Sequence, residues 1–468
     1  MLELNNILMV SNDVDIIKTN KGAIVIYKDK IISISQTEAL FLALCNGTNS
    51  VKEIVNFFSH IYNVPVDIII QDIKNFFEKF TKWFVILPER LNRPCSKIKN
   101  FEEYIFKPYN KDILKKVEGI HTVGIVLNYG CSFGCKYCFA MDSKEPQKYE
   151  FINFEDIKKF LIGAKNLGAS HLQIGGGDPY KYPQLKDVLD LAIQKLEFKR
   201  AEISFKVNDI LEKNFFKELK KAGLRVIQFS IDSIDPQKLR EITGSKNIWG
   251  ASLISIYNAL ETGLEVAIRP TIIKDNVDEI LEMCSFFDNL GVQYLRAVQV
   301  IPIGRANYSL IPSREKLKLL EEKIKEIQNS FKNIKISILT YKIGRTAACE
   351  GGRISAFLYP DGSVAPCDTI GTIKDKWSYN FGNIRESSLE EIWFSKNIEK
   401  FRKIRYPNEI CESCDEYEAC LGGCRVMSHS VLGNPELPDP LCSKIYEHEE
   451  KEGEIFTSWK IKKSKLKM

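Results

Sequence analysis

Cys131-Ser-Phe-Gly-Cys135-Lys-Tyr137-Cys138 is the stretch whose reading decides the fold. Its three thiols stand at C-x3-C-x2-C spacing, directly after the apolar run Val123-Gly-Ile-Val-Leu127. A tight loop at the C-terminal end of a strand can aim all three sulfurs at one centre. Thiolates hold iron–sulfur clusters, and a cubane cluster takes four ligands, so three cysteines leave one iron open to a different ligand. A zinc site competes for the same residues. It needs a fourth ligand, and the segment offers no histidine nearer than His121. Small core residues are the third reading of the same cysteines.

A chain of 468 residues with 44% hydrophobic content has enough apolar material for about three domains. Its 66 basic and 61 acidic residues leave a net charge of +5, a near-balance that argues against nucleic acid as the main partner. Lys460-Ile-Lys-Lys-Ser-Lys-Leu-Lys467 reads as a solvated basic tail. No apolar run approaches the length of a membrane span, and Met1-Leu-Glu-Leu-Asn-Asn has no signal-peptide pattern. A cytoplasmic protein is expected. In the cytosol, thirteen cysteines point to metal ligation rather than disulfides.

From about 120 to 340, short apolar runs alternate with amphipathic helical stretches. The runs are Val123–Leu127, His171–Gly175, Ala201–Val207, Arg225–Ile231, Leu264–Arg269 and Val292–Val300. Phe154–Leu167, Tyr182–Leu196 and Ala251–Glu261 are among the helical segments between them. Such alternation predicts parallel strands with right-handed crossovers. Barrels of this kind carry their sites at the C-terminal strand ends, where the cysteine loop falls.

The cysteine spacing, with an aromatic before the last thiol, resembles the radical S-adenosylmethionine (SAM) superfamily, and six strand–helix repeats match that family's partial (β/α)6 barrel. The resemblance implies a 4Fe–4S cluster on Cys131, Cys135 and Cys138 whose open iron chelates SAM. It also implies SAM contacts. Gly175-Gly-Gly177-Asp178-Pro179 resembles the family's Gly-Gly-Glu-Pro motif, so Gly176 and Gly177 would approach the methionine part and Asp178 would receive its ammonium group. Asn208 resembles the asparagine of a Thr-Asn-Gly segment. Ser230 and Asp232 resemble a Ser-Leu-Asp segment, and Tyr137 is expected beside the adenine. Thr243-Gly244 stands where the family often has Arg-Gly, and Gly304-Arg305-Ala306 resembles a recurring Gly-Arg-Ala that places Arg305 at the site mouth. Cys284, in an apolar helical run, reads as core packing, and Cys45 and Cys95 as structural or incidental.

Residues 341–450 hold Cys349, Cys367, Cys411, Cys414, Cys420, Cys424 and Cys442. Tyr359-Pro-Asp-Gly362 is a hairpin signal, and C-x2-C-x5-C-x3-C follows downstream. With Phe381-Gly-Asn-Ile384 before Trp393, the pattern is similar to the SPASM domain, an auxiliary-cluster module. That resemblance implies two further 4Fe–4S clusters, making three. Cys411, Cys414, Cys420 and Cys442 would close one. Cys349, Cys367 and Cys424 would hold the other, nearer the barrel, with its fourth position open, filled by another residue, or taken by a substrate thiolate. A pair of zinc sites is the alternative.

Residues 1–90 show β-rich runs, Ala23–Tyr27 and Ile31–Ile34, then three helices with capping-box spacing at Ser35/Glu38 and Ser50/Glu53. Ile69, Ile73, Phe76, Phe77 and Phe80 share one helical face, and Trp83–Leu87 is a final apolar run. The order is similar to the winged-helix PqqD-like domain, which implies recognition of a leader peptide by β-augmentation; a DNA-binding or merely packing winged helix is the alternative. Residues 91–118 read as a linker, 119–340 as the barrel and 451–468 as a basic tail.

The expected protein is thus an α/β enzyme of three modules, a maturase that removes hydrogen from a ribosomally made precursor peptide with a leader. By resemblance to thioether-forming maturases, its product is a Cys thioether of the sactipeptide or ranthipeptide type, and its electron donor is ferredoxin or flavodoxin. Carbon–carbon or carbon–oxygen cross-linking and epimerisation are alternatives. Sulfatase-type maturation and a non-catalytic zinc/DNA-binding protein stand further off. The cofactor carries the chemistry, so no catalytic acid or base is named.

Overall fold

The computed structural model of the chain describes most of residues 2–92, then 119–140, 149–340, 349–372 and 379–404, and shorter pieces between 411 and 461. The chain forms two compact units, one on Met1–Gly119 and the other on Ile120–Arg345 and Cys349–Met468. The expected linker falls largely outside the described residues.

In the first unit the expected hairpin is present. Strand β3 (Gly22–Tyr27) pairs antiparallel with β4 (Lys30–Ser35), Val25 opposite Ile32. Three strands escape the sequence signals: β1 (Ile7–Val10), β2 (Val14–Thr19) and β5 (Asn46–Ser50). The sheets run β5-β1-β6 and β2-β3-β4, with β6 (Phe84–Leu87) lying antiparallel on β1. Asn46-Gly-Thr-Asn-Ser50 has none of the apolar alternation that marks a strand; pairing with β1 makes it one. Both capping boxes form. Ser35 and Glu38 exchange bonds at the start of helix α1 (Gln36–Leu44), and Ser50 and Glu53 do so before α2 (Val51–Tyr62). Helix α3 (Val66–Lys79) buries Ile69, Ile73 and Phe77, and Phe80 stacks on Trp83 at 4.0 Å between ring centroids.

In the second unit all six expected runs are strands: β7 (Thr122–Val126), β8 (His171–Gly175), β9 (Arg200–Phe205), β10 (Val226–Phe229), β11 (Glu265–Ile268) and, after the short β12 (Thr271–Ile272), β13 (Tyr294–Gln299). They pair in parallel in the order β7-β8-β9-β10-β11-β13. Every crossover therefore returns the chain to the same end, and all the following loops gather there. The sheet stays open. Beyond β13 lies β14 (Lys335–Leu339), and on the far side β7 pairs in parallel with β15 (Ser355–Leu358). The cysteine-rich region thus begins as a strand of the barrel sheet. The Tyr359–Gly362 turn then leads to β16 (Ser363–Ala365) and β17 (Gly382–Asn383). Gly362 holds φ +82°, which an L side chain rarely adopts.

Helices cover the sheet at Phe154–Asn166 and Ile248–Glu261 as expected; the third expected segment is helical over Leu185–Leu189 and passes into a π-turn over Asp190–Lys195. Cys284 is fully buried in the helix Ile280–Asn289, and Cys45 in the first unit is fully buried too. Short antiparallel ribbons, Glu450–Lys451 with Glu454–Ile455 and Tyr446–Glu447 with Lys460–Ile461, join the end of the cysteine-rich region to the basic tail. Among the described residues no helix is long and apolar enough to cross a membrane.

Candidate functional site

The cysteine loop leaves the C-terminal end of β7 and is held from two sides by backbone bonds. Gly134 N–H donates to Thr243 O at 2.9 Å, Lys136 N–H to Ile242 O at 3.0 Å, and Arg305 N–H to Cys138 O at 2.9 Å. Thr243-Gly244, which breaks the family's Arg-Gly pattern, thus serves as a docking point for the loop. Gly244 caps its helix at φ +73°, with room for no more than van der Waals contact with Gly134. Burial pushes the Cys131 thiol up, and the negative charges of Asp178, Cys135 and Cys138 add to this. Cys135 is pushed up to about 11, again by burial first, with the Lys206 cation opposing. Such thiols ionise when a positive centre neutralises them. His121 is no partner for them. It sits at the start of β7, bonded to Thr122 and stacked on His171, about 16 Å of extended strand from the loop. Zinc loses its nearest candidate fourth ligand.

The glycine loop after β8 lies directly under the cysteine loop. Gly177 N–H donates to Asn128 O and Asp178 N–H to Gly130 O, both at 2.9 Å. Gly176 has φ +128°, and a Cβ on Gly177 would stand 1.7 Å from Gly130 O. Only glycine fits. Gly177→Ala is expected to force the two loops apart and cut iron retention several-fold, read by iron content per chain beside the thermal unfolding midpoint. Unchanged iron would refute this. Asp178 is fully buried. Its Oδ2 accepts from Ser132 N at 2.9 Å, Ser132 Oγ at 2.5 Å and Tyr149 Oη. Lys181 Nζ reaches Ser132 Oγ at 2.9 Å, Tyr149 Oη at 3.0 Å and Asp178 at 3.5 Å. Asp178 thus spends one oxygen on the cysteine loop, while among the described residues its Oδ1 has no hydrogen-bond partner. Asn128 Oδ1 and Arg305 Nε are buried without partners as well. Buried polar atoms are almost always paired, so three beside one loop fit a polar ligand.

Across the site Tyr137 Oη donates to Asp232 Oδ2 at 2.5 Å, and Lys206 Nζ donates to the same oxygen at 2.5 Å and to Tyr137 Oη at 3.0 Å. Asp232 is fully buried. Lys206 carries no motif, and sequence reading misses it. Asn208 accepts from Tyr180 Oη at 3.2 Å, and Ser230 N–H donates to Phe205 O at 2.7 Å. The loop carrying Asp232 is tied down by Glu279, which accepts from Ser233 Oγ, the amides of Ile234 and Asp235, and Lys238 Nζ at 2.7–3.1 Å. Burial raises the Glu279 carboxyl, but these donors outweigh it and hold it below its ordinary value. Its contribution is therefore present above the unfolded value of about 4.3 and lost as pH falls. Glu279→Gln is expected to cost about 1–3 kcal/mol at pH 7 and less at pH 4 in denaturant titrations; equal losses at both would contradict this.

In the cysteine-rich region the Cys367 thiol is pushed up by burial, then by the negative charges of Asp368, Cys424 and Cys349. Thr369 Oγ1 lies 2.8 Å from Cys367 Sγ, and Tyr359 Oη donates to Cys367 O at 2.8 Å. Cys411 and Cys414 share one turn, and Cys420 bonds through its carbonyl to Gly423 N–H. Asp439 ties Cys424 to Cys442. Its Oδ2 accepts from Cys424 N at 2.9 Å, and its carbonyl accepts from Cys442 N at 2.8 Å. A Cβ on Gly423, at φ +85°, would meet Asp439 at 2.3 Å. The only sequence hint of Asp439 is its place three residues before Cys442. Trp393 and Phe381 are buried, Trp393 under the Arg402 guanidinium and Phe381 edge-on to Phe401.

Residues 125–287 match the family model of the radical SAM superfamily, and residues 349–415 match SPASM, an iron–sulfur cluster-binding domain. The chain is 27% identical over 331 residues to a PqqA peptide cyclase of Granulibacter bethesdensis, covering 68% of this chain and 85% of the relative. A Rhizobium meliloti PqqA peptide cyclase is 27% identical over 325 residues, with the same coverage. Among solved structures, Streptococcus suis SuiB bound to S-adenosylmethionine superposes with a TM-score of 0.65 at 19% identity, over 93% of this chain and 100% of that one. Native anSMEcpe with bound AdoMet superposes at 0.54 and 16% identity, over 69% and 94%.

Proposed function

As a radical SAM protein with a SPASM domain, this chain is, we propose, a maturase of a ribosomally made peptide that installs thioether cross-links on substrate cysteines. The observation that carries the reading is one compact unit in which two three-thiol sets hang from neighbouring strands, Cys131, Cys135 and Cys138 after β7, and Cys349 and Cys367 on either side of the β15–β16 hairpin with Cys424. A reduced cluster on the first set would cleave bound SAM and supply the radical that removes hydrogen from the peptide. Tyr137, Gly176, Gly177, Asp178, Asn208, Ser230 and Arg305 hold SAM in this reading, and the unpartnered atoms of Asp178 and Arg305 support it. Cys411, Cys414, Cys420 and Cys442 hold the third cluster, and a ferredoxin or flavodoxin supplies electrons.

The first unit acts as the PqqD-like leader binder. Its antiparallel β2-β3-β4 sheet leaves β4 at an edge, and the pairing of an added strand would satisfy that edge's backbone. The relation to SuiB, solved with precursor peptide SuiA, supports a peptide substrate. Carbon–carbon or carbon–oxygen cross-linking or epimerisation is the second reading, and the similarity to PqqA peptide cyclases supports a peptide cross-link of some kind.

Anaerobic co-expression with a small Cys-containing open reading frame from the genomic neighbourhood tests both readings by mass spectrometry before and after thiol alkylation. A thioether removes two hydrogens and one alkylatable thiol. Loss of two hydrogens with all thiols free supports a cross-link of the second reading. An unchanged mass speaks against every cross-link and leaves epimerisation.

A further inference from the structure

The buried Asp178 carboxylate is used unevenly. Oδ2 accepts from Ser132 N–H at 2.9 Å, from Ser132 Oγ at 2.5 Å and from Tyr149 Oη, while Oδ1, also buried, has no hydrogen-bond partner among the described residues. Lys181 sets the direction of the two hydroxyl bonds. Its Nζ lies 2.9 Å from Ser132 Oγ and 3.0 Å from Tyr149 Oη. An ammonium group only donates, so both hydroxyl oxygens accept from it. The two hydroxyls are also 2.9 Å apart, but the charged carboxylate is the stronger acceptor, and both hydrogens turn to Oδ2. Tyr149 is held in place for this. Its ring lies over the bend at Gly130, where a Cβ would meet it at 2.5 Å, and Phe151 packs beside it at 5.9 Å between centroids. The Lys181 nitrogen lies 4.9 Å from the centroid of the same ring. A network that only held two loops together would satisfy both carboxylate oxygens, since a buried acceptor left unpaired is costly.

We propose that Lys181 and Tyr149 are positioning residues for the amino-acid end of SAM: by turning both hydroxyl hydrogens onto Oδ2, they reserve Asp178 Oδ1 for the ligand's ammonium group. The inference rests on the reading of Asp178 as the acceptor of that ammonium. An oxygen that already holds three donors has no lone pair left for a charged one, so the free oxygen is the one that meets the ligand. Both residues act through Asp178, Tyr149 by filling Oδ2 and Lys181 by fixing where the phenol hydrogen points. Neither lies in a motif, since phenol and ammonium meet across 32 positions.

The test is an anaerobic calorimetric titration of the full-length, cluster-loaded protein, left oxidised so that SAM binds without being cleaved. SAM is compared with 5′-methylthioadenosine, which keeps the nucleoside and the sulfur but has no ammonium or carboxylate group. Tyr149→Phe keeps the ring over Gly130 and removes only the phenol. It is expected to weaken SAM binding about ten-fold, the size expected for a hydrogen bond to a charged group, and to leave methylthioadenosine binding and iron content at wild-type values. In a Lys181→Met background the same replacement is expected to weaken SAM binding less than about two-fold, because the two residues act as one unit. Equal losses in both backgrounds overturn the part given to Lys181. Equal weakening of both ligands, or of neither, overturns the inference. Should Tyr149→Phe lose iron, Ser132→Ala, which takes the other hydroxyl from Oδ2, is read in the same way. Asp178→Asn is the reference, expected to lower SAM affinity relative to methylthioadenosine. If that ratio stays at the wild-type value, the reading of Asp178 fails and this inference with it. If it falls while Tyr149→Phe leaves it unmoved, this inference alone fails.

Discussion

Replacing Cys131, Cys135 and Cys138 together by alanine is expected to abolish 5′-deoxyadenosine formation, to below about 10⁻³ of the wild-type rate, because the open iron that would bind SAM has no other thiolates to hold it. The loop itself should persist. Its backbone anchors to Thr243, Ile242 and Arg305, and the Asp178–Ser132 clamp, do not involve the sulfurs. Iron should fall by about four atoms from about twelve per chain, each cubane holding four, with the auxiliary signals intact. Anaerobic iron analysis beside chromatography of the nucleoside product measures both. Surviving SAM cleavage would show that the centre lies elsewhere. Loss of all iron would show that the variant had lost its fold and would call for single substitutions.

Deleting residues 1–90 is expected to reduce peptide modification about a hundred-fold while uncoupled SAM cleavage continues. A bound leader tethers the core peptide and replaces a bimolecular encounter with an effective concentration in the millimolar range. The deleted segment has its own hydrophobic core, from Leu8 and Val10 through Leu40, Ile54 and Phe58 to Trp83. The second unit keeps its own sheet, so the cut is expected to leave it folded. Mass spectrometry of the peptide and product analysis of SAM, on the same samples, separate the two effects. Equal modification without the segment would remove the leader-binding role. Joint loss of modification and SAM cleavage would mean that the truncated enzyme is damaged.

Much of this architecture is legible because its determinants are local. A capping box needs residues three apart, and Ser35 with Glu38 forms one. β7, buried at all five positions, announces itself as an apolar run because a parallel strand covered on both faces has no polar side; β8, β9 and β13 instead alternate buried and more exposed positions. Among the missed strands, Asn46-Gly-Thr-Asn-Ser50 lacks that pattern altogether. Asn46–Ser50 becomes a strand through its partner β1, and the barrel gains β15 because β7 offers an unpaired edge. The boundary expected near 340 does not separate two sheets, since pairing across it joins them.

The amino-acid sequence alone determined the thiol spacing, the strand–helix alternation that delivers the thiols to one end of a parallel sheet, and the glycines that let one loop lie under another. Each is a property of residues close together in the chain. Tertiary structure alone decided how charges and hydroxyls surround those thiols. Asp178 meets Ser132 across 46 positions, Lys206 meets Tyr137 across 69, and Tyr137 meets Asp232 across 95. None of these pairs has a spacing rule, because each is made by parallel strands of one sheet that bring distant loops to the same end. A lone lysine or aspartate in a sequence is most often a solvated surface residue. What makes Lys206 and Asp178 otherwise is their burial against opposite charge and beside the cysteine loop, which only the assembled sheet creates.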